Sequence, residues 1–198
     1  MRVIAGTLKG RRLEAPAWDG LRPTSDKLRE TLFNILAPRI AGARVLDAFA
    51  GTGAIGIEAM SRGAAHVTFA DADPRALKLI SRNLAHCGVT DRYAIIRIRL
   101  GERSPQSLNT GAFDLALIDP PYDEPDLAAV VAGIAPAVTT AGLIVLEHAR
   151  RRGAPTGIPG TAHVRDVTSG DSALAFYEVG AGPQKLPDTP DERGATNG

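Results

Sequence analysis

Apolar and polar positions follow two different rhythms along the chain. From residue 43 onward, short apolar runs are separated by segments whose apolar residues recur at helical spacing. The runs predict five strands, at 44–49, 66–70, 93–98, 113–118 and 143–147. The segments between them predict helices at about 53–61, from Pro74 onward and at 125–135. Alternation of this kind is typical of an α/β fold, in which helices cover both faces of a parallel sheet.

The first 40 residues do not show this alternation. Residues 2–5 and 11–14 predict two short strands of a hairpin around a Thr-Leu-Lys-Gly turn. After a loop with two prolines, a helix is predicted to begin near Ser25 and to end at Pro38. Its apolar stripe consists of Leu28, Leu32, Phe33, Ile35 and Leu36. We interpret residues 1–40 as a hairpin and helix extension of a main domain at 41–180.

The end of the chain has a third pattern. Segments 163–167 and 173–179 have no helix between them and predict an antiparallel pair joined by a Ser-Gly-Asp turn. Residues 181–198 carry no apolar pattern, and their proline, glycine and aspartate content predicts a disordered tail.

Composition narrows the class of protein. The chain has 198 residues, of which 44% are hydrophobic and 23% charged, as expected for a globular protein. The single cysteine, Cys87, excludes an internal disulfide and a cysteine zinc site, and the scattered histidines indicate no metal site. The opening residues lack the apolar core of a secretory signal, and no apolar run approaches the length of a membrane span. We expect a cytoplasmic protein that binds no metal.

Charge is unevenly distributed. The net charge is +1, yet residues 1–44 contain nine lysines and arginines against four acidic residues. A basic front end favours contact with a polyanion, and a solvated charged face is the alternative.

A glycine-rich turn follows the first predicted strand. Gly51, Gly53 and Gly56 form a GxGxxG pattern at the start of a helix, where a ligand can approach the backbone. A tight turn without a ligand also explains these glycines. Asp47 lies four residues before Gly51, where its carboxylate repels a pyrophosphate and attracts a cation. The turn therefore favours S-adenosylmethionine (SAM), which carries an ammonium and a sulfonium, over NAD.

The second predicted strand ends in Asp71-Ala-Asp-Pro. An acid about 20 residues after the glycines can accept hydrogen bonds from both hydroxyls of a ribose, and we assign this role to Asp71. Asp73 is predicted to cap the helix that has Pro74 at its first position. Ala48, Phe49 and Ala72 are assigned to the same cofactor site.

The fourth predicted strand runs into Asp119-Pro120-Pro121-Tyr122. Consecutive prolines stiffen the turn, so the Asp119 carboxylate and the Pro120 carbonyl form a pair of acceptors with fixed spacing. Such a pair can hold both hydrogens of an exocyclic amine and turn the nitrogen lone pair towards a methyl donor, while Tyr122 stacks on the base. An ordinary turn after a strand is the alternative.

Three acceptors fit this pair equally well. Guanine N2 in RNA, adenine N6 in DNA and the amide of a protein glutamine all present an amine, so the tetrapeptide alone does not choose among them. A NAD-dependent oxidoreductase is a further alternative, but the sequence offers no convincing pair of hydride-transfer residues. A non-enzymatic RNA-binding assembly factor is another, and the intact Asp119–Tyr122 tetrapeptide argues against it.

These motifs carry a family resemblance. The chain resembles class I SAM-dependent amino-methyltransferases in Asp47-Ala-Phe-Ala-Gly-Thr-Gly, Asp71 and Asp119-Pro-Pro-Tyr. It resembles the RsmD family of 16S rRNA guanine-N2 methyltransferases in Arg2-Val-Ile-Ala-Gly, Lys9-Gly-Arg-Arg-Leu and the stretch from Leu21 to Leu36. The resemblance covers about residues 1–180 and implies a Rossmann-like, seven-stranded, mostly parallel sheet with a terminal antiparallel strand.

The resemblance also implies partners. The substrate is expected to be one guanine in the head of an assembled or partly assembled small ribosomal subunit, and the enzyme is expected to be a monomer that releases S-adenosylhomocysteine. Relatives usually carry a small polar or acidic residue after the third strand that contacts the adenine. This chain departs from that pattern, and Glu102 is the candidate for the contact. The RNA-facing extension implies RNA contacts by Arg11, Arg12, Arg22, Thr24 and Arg29.

Overall fold

The strands and helices were located in a computed structural model, which describes residues 1–16, 26–101, 108 and 112–180. The helices are α1 (Asp26–Ile40), α2 (Ala54–Ser61), α3 (Pro74–His86) and α4 (Leu127–Ile134). The strands are β1 (Arg44–Ala48), β2 (His66–Asp71), β3 (Tyr93–Arg97), β4 (Phe113–Ile118), β5 (Val138–Ala149), β6 (Thr161–Ser169) and β7 (Ser172–Val179). Short 3₁₀ turns follow α4 and β5, at Ala135–Ala137 and Arg150–Arg152.

The seven strands form one sheet in the order β3-β2-β1-β4-β5-β7-β6. The first five pair in parallel, whereas β7 is antiparallel to both β5 and β6. The chain order reverses between β1 and β4, and ligands of open α/β folds bind at such a switch point, beyond the carboxyl ends of the strands. The predicted mostly parallel seven-stranded sheet is confirmed.

The central strands are buried because helices cover both faces of the sheet. Side chains of β1, β2 and β4 that face α1, α2 and α3 form one apolar cluster, which includes Val45, Phe69 and Leu115. Alternate side chains of the same strands pack against α4 in a second cluster, which includes Leu46 and Ile118. Strands buried on both faces are expected to be apolar throughout, as the sequence of β4 is.

Most predicted boundaries lie within two residues of the observed ones, and two of the differences have a clear physical cause. Pro38 lies inside α1, which continues to Ile40, because a proline in the last turn removes only one helical hydrogen bond. Strand β5 begins at Val138 rather than 143, since Val138 pairs with Phe113 before an irregularity shifts the register of β4 and β5. Ala141, at a φ of 64°, lies within this irregularity.

The predicted hairpin at the amino end is confirmed. Arg2 and Arg12 form an antiparallel bridge, the amide of Val3 donates to the Arg11 carbonyl at 3.0 Å, and that of Gly10 donates to the Val3 carbonyl at 2.9 Å. The hairpin docks on α2, where the buried Glu58 carboxylate accepts hydrogen bonds from the amides of Ile4 and Ala5. These contacts join the extension to the core of the main domain.

Gly6 permits a close approach between the hairpin and α2. Its φ is +80°, and a Cβ at this position would lie 1.9 Å from the Ser61 carbonyl oxygen. The Ser61 hydroxyl in turn donates to the Ala5 carbonyl and accepts from the amide of Leu8. The hairpin is therefore held by polar contacts along the last turn of α2.

The side chain of Arg29 lies inside the protein, not on its surface. The predicted RNA contact by Arg29 is wrong for this structure, because the side chain is fully buried. Its guanidinium donates to the Arg2 carbonyl at 2.9 Å and to the Asp26 carboxylate at 2.7 Å. Burial lowers the pKa of Arg29, and the carboxylates of Asp26 and Glu58 oppose that shift. Arg29 thus fastens the hairpin to α1.

Within the described ranges, no helix combines the length and apolar character needed to cross a membrane. The predicted disordered tail at 181–198 lies outside the described residues.

Candidate active site

The carboxyl edge of the sheet brings the predicted site residues into one row. Ala48 of β1 pairs with Ala70 of β2 and with Ile118 of β4, which in turn pairs with Leu146 of β5. The residues that follow these four are therefore adjacent in space, and they are Phe49, Asp71, Asp119 and Glu147. Three carboxylates from three strands thus lie along the edge where the topology predicts a ligand.

The glycine-rich turn after β1 has a backbone that few residue types can adopt. Gly51 and Gly53 have φ angles of 53° and 76°, and the half-buried Phe49 between β1 and the glycines has a φ of 59°. The Ala50 amide donates to the Ala70 carbonyl, which ties the turn to the end of β2. A non-glycine residue at positive φ is uncommon, and Phe49 therefore marks local strain in this turn.

Asp71 organises the same turn. One carboxylate oxygen accepts a hydrogen bond from the Gly51 amide at 2.9 Å, and the other accepts from the Asp73 amide at 2.9 Å. Each oxygen keeps a second lone pair for a ligand hydroxyl. Ala72, beside it, is exposed.

Asp73 accepts from the Arg75 amide at 2.8 Å and caps α3, as predicted. Asp71 therefore holds the glycine-rich turn, whereas Asp73 caps the helix that follows β2.

Asp47 is buried beneath the start of α2. It is 1% exposed, and its Oδ2 accepts a hydrogen bond from the Gly56 amide at 2.8 Å. Burial raises the pKa of Asp47 well above its usual range; the hydrogen bond from Gly56 opposes this, and the carboxylates of Asp119 and Asp71 add to it. Among the described residues, no cation forms an ion pair with Asp47 or Asp71.

Gly56 has to be a glycine for steric reasons. A Cβ there would lie 2.3 Å from Phe69 Cε1 and 2.8 Å from the Asp47 Oδ2. The third glycine of the motif therefore allows α2 to approach both β2 and the buried carboxylate.

The Asp119–Tyr122 tetrapeptide forms the turn after β4. The Asp119 amide donates to the Ala48 carbonyl at 3.2 Å, which holds Asp119 beside the glycine-rich turn. Pro120 is buried, Pro121 is exposed and Asp119 is half-buried. The Tyr122 hydroxyl lies 2.6 Å from the Ser172 hydroxyl and donates to Glu147 Oε1 at 3.5 Å. The predicted acceptor pair and the cofactor residues thus occupy neighbouring strand ends.

Arg152 supports this turn, a role that its place in a run of three arginines does not predict. Its guanidinium donates to the backbone carbonyls of Tyr122, Glu124 and Pro125, the shortest contact being 2.6 Å to Glu124. The planar fork of arginine suits several carbonyls at once. Three consecutive arginines in a loop signal only a charged surface, so this clamp was visible only in three dimensions.

Glu147 was not predicted as a site residue, and His148 beside it was expected to be structural. They are 6% and 3% exposed, and both line a shallow recess with Pro120, Pro121 and Tyr122. His148 Nδ1 contacts the Ala149 carbonyl, and its buried Nε2 has no partner among the described residues. A charged residue at the carboxyl end of a predicted strand is the same signal that identified Asp119, and it applies to Glu147 as well.

Asn83 links the site to the hairpin. It is fully buried in α3, and its Nδ2 donates to the Thr52 carbonyl at 2.9 Å within the glycine-rich turn. Its Oδ1 accepts from the Glu14 amide at 2.7 Å, and its Nδ2 also lies 3.3 Å from the Glu14 carbonyl. One side chain thus fixes the chain that leaves the hairpin and the turn after β1.

The residues predicted to face RNA fall in two groups. Arg11 and Arg12 are exposed on the second hairpin strand. Arg22 and Thr24, like the adenine candidate Glu102, lie outside the described residues.

Sheet order, a glycine-rich turn at the switch point and acids at the ends of β2, β4 and β5 define a class I methyltransferase fold. The family model described as "Conserved hypothetical protein 95" matches residues 1–178. The chain belongs to this family, which is the RsmD family.

Named relatives agree with this assignment. A protein of Bacillus subtilis (strain 168) named "Putative rRNA methyltransferase YlbH" is 36% identical over 185 residues, which are 90% of this chain and 98% of that protein. The "Ribosomal RNA small subunit methyltransferase D" of Escherichia coli (strain K12) is 51% identical over 85 residues, or 43% of each chain. The solved structure "Putative methyltransferase yhhF from Escherichia coli" has 32% identity and a TM-score of 0.77, and covers 92% of this chain and 99% of its own.

Proposed function

We propose that the protein transfers a methyl group from SAM to the exocyclic N2 of one guanine in 16S rRNA of the small ribosomal subunit. The observation that carries this proposal is the row at the sheet edge, where Asp119 and Pro120 lie one strand away from the glycine-rich turn. The names of the relatives favour ribosomal RNA over other acceptors.

The residues around the glycine-rich turn fit SAM. Asp71 has lone pairs for both ribose hydroxyls, and the positive-φ turn at Gly51 and Gly53 lets a ligand lie against the backbone. Asp47, Asp71 and Asp119 are close enough for the last two to raise the pKa of the first, and a cationic ligand relieves that repulsion. When bound, SAM supplies an electrophilic methyl group on a positively charged sulfur.

The acceptor side positions the amine. The Asp119 carboxylate and the Pro120 carbonyl each accept one hydrogen of the guanine N2, so that the nitrogen lone pair faces the methyl group. No strong base is needed beforehand, because N2 gives up its proton only after it has become cationic, and the Asp119 carboxylate is in place to receive it. Positioning and electrostatics supply the catalysis.

Tyr122 holds the base. Its hydroxyl contacts Ser172 and Glu147, which fixes the ring beside the recess under the tetrapeptide. A guanine that is extruded or single-stranded can stack on this ring. Arg11 and Arg12 contact RNA phosphates, which supply affinity rather than choice of base.

The test uses small subunits purified from cells that lack the gene, incubated with the protein and isotopically labelled SAM. We expect one labelled guanine in 16S rRNA, methylated at N2, when the rRNA is digested and mapped by mass spectrometry. Parallel reactions with protein-free 16S rRNA, duplex DNA and a glutamine peptide distinguish the other acceptors. Label in any of these but not in the subunit would overturn the proposal, and so would label at another guanine atom.

A further inference from the structure

We infer that Glu147 selects guanine, by accepting a hydrogen bond from the guanine N1–H while Asp119 and Pro120 hold N2. This inference rests on the proposed function and names the residue that specifies its base. Asp119 and Pro120 alone recognise only an amine, so a further group has to distinguish guanine from adenine.

The position of Glu147 supports this role. Ile118 pairs with Leu146, so Glu147 lies beside Asp119, one strand further along the row of acids. Neighbouring strands are about 4.8 Å apart, and laterally paired residues of a parallel sheet point to the same face. The Glu147 Oε1 lies 3.5 Å from the Tyr122 hydroxyl, which shows that this side chain reaches the tetrapeptide rather than turning away from it.

The chemistry of the two purines gives the selectivity. Guanine carries an N1–H donor directly beside its N2 amine, so an acceptor next to the amine-binding pair is satisfied. Adenine presents the lone pair of N1 beside its N6 amine, and this lone pair is repelled by a carboxylate. A site built to pair with a donor rejects an analogue that lacks it, because the buried group is then left unpaired.

The surroundings strengthen the effect. Glu147 is 6% exposed and lies in a recess bounded by Pro120, Pro121 and Tyr122. A hydrogen bond to a charged acceptor is stronger than one between neutral groups, and poor access to water strengthens it further. Ser172, which lies 2.6 Å from the Tyr122 hydroxyl, keeps the ring in place when Glu147 turns to the base.

The experiment compares nucleotide binding to the wild type and to Glu147→Gln, both saturated with S-adenosylhomocysteine. The probes are guanosine monophosphate and 2-aminopurine riboside monophosphate, which has the 2-amine but an unprotonated N1. Saturation-transfer NMR or competition against the fluorescent 2-aminopurine gives the ratio of the two affinities. The amide of glutamine can donate to an unprotonated N1, so we expect the wild type to prefer guanosine about tenfold and the variant to lose or reverse this preference.

Two further variants complete the design. Glu147→Asp keeps the charge on a shorter side chain and should retain part of the guanosine preference, which keeps the test decisive if Glu147→Gln fails to bind S-adenosylhomocysteine. Glu178→Gln removes another buried carboxylate, which lies beside the middle of β5 where Glu178 pairs with Leu143, and should leave the preference unchanged.

The outcomes separate this inference from the proposed function. If Glu147→Gln weakens both nucleotides equally, or keeps the guanosine preference, Glu147 has a structural role and the inference fails. If wild-type protein leaves small subunits unmethylated, the proposed function fails, whatever the nucleotide preferences are.

Discussion

The part of the site around the glycine-rich turn, where the methyl donor is proposed to bind, is called the donor half. It is held together differently from the acceptor half, the part around Asp119–Tyr122 where the methyl acceptor is proposed to bind. In the donor half, Asp47 bonds Gly56, nine residues away, and Asp71 bonds Gly51, 20 residues away. In the acceptor half, Tyr122 contacts Glu147 and Ser172, which are 25 and 50 residues away, and Arg152 reaches back 30 residues to its carbonyl.

This difference matches the two proposed tasks of the site, which are cofactor binding in the donor half and substrate binding in the acceptor half. The donor half is held by contacts within two consecutive strand-helix units, β1–α2 and β2–α3, which include the bond of Asn83 to Thr52, 31 residues away. The acceptor half is supported by residues at the end of β5, the start of β7 and the turn after β5. Under the proposed function, the choice of substrate therefore depends on parts of the chain remote from the tetrapeptide. Variants of the two halves should therefore affect different measured quantities.

The largest effect is expected from Asp119→Ala. Loss of one acceptor for the N2 hydrogens should lower the single-turnover rate of methyl transfer by about 100-fold or more, comparable to removal of one preorganised hydrogen-bond partner in other active sites. The Kd for SAM, measured by calorimetry, should change by less than about threefold, because the donor half stays intact. Asp123→Ala, an exposed acid in the same turn, is the control. A wild-type rate in Asp119→Ala would falsify the assigned chemistry.

Arg152→Ala should have the next largest effect. Without its three hydrogen bonds the 122–125 turn loses its clamp, and we expect kcat to fall about tenfold with little change in the Kd for SAM. Arg152→Lys should recover only part of the loss, because a lysine keeps the charge but cannot bridge three carbonyls. Arg151→Ala, on the exposed neighbour, should leave kcat unchanged. Equal losses in both alanine variants would show that charge, rather than the clamp, matters.

Gly56→Ala tests the donor half. The added Cβ collides with Phe69 and the Asp47 carboxylate, so the free energy of unfolding should fall by about 1–3 kcal/mol, and SAM should bind several-fold more weakly. Urea denaturation and calorimetry measure the two quantities. Gly88→Ala, at a φ of +72° but in open space, should cost stability without affecting SAM. Normal SAM binding in Gly56→Ala would contradict the role given to this contact.

A smaller effect is expected from pH. Burial raises the pKa of Asp47 in the folded protein. The contribution of its protonated carboxyl to the free energy of unfolding is therefore complete below the ordinary aspartate pKa, and it is lost as pH rises through the folded pKa. A cationic ligand prefers the ionised carboxylate, so the affinity for SAM should rise with pH over the same window. Asp47→Asn should flatten both profiles, whereas Asp123→Asn, at an exposed acid in the turn after β4, should leave them unchanged. An unchanged SAM profile in Asp47→Asn would show that Asp47 does not sense the ligand.

Much of the fold was predictable because local signals agreed with the tertiary structure. The alternation after residue 43 gave the order of strands and helices, and Asp73 with Pro74 marked the start of α3. The extension of β5 to Val138 was not predictable, since it depends on pairing with Phe113 across an irregular stretch.

The errors at the site have a physical cause. A charge count places Arg29 on a basic surface, yet Arg29, Phe33, Leu36 and Ile40 share one face of α1, and that face is buried. Helical spacing therefore predicts that Arg29 is buried, whereas the charge count does not. The clamp by Arg152 and the contact of Glu147 with Tyr122 join segments that only the assembled sheet brings together.

The most direct test of the account is a crystal structure of the protein with S-adenosylhomocysteine bound. The account predicts that the ligand sulfur faces the gap between the Asp119 carboxylate and the Pro120 carbonyl, with the ribose hydroxyls on Asp71. A sulfur atom on the far side of the tetrapeptide, or acceptor oxygens turned away from it, would contradict the proposed transfer.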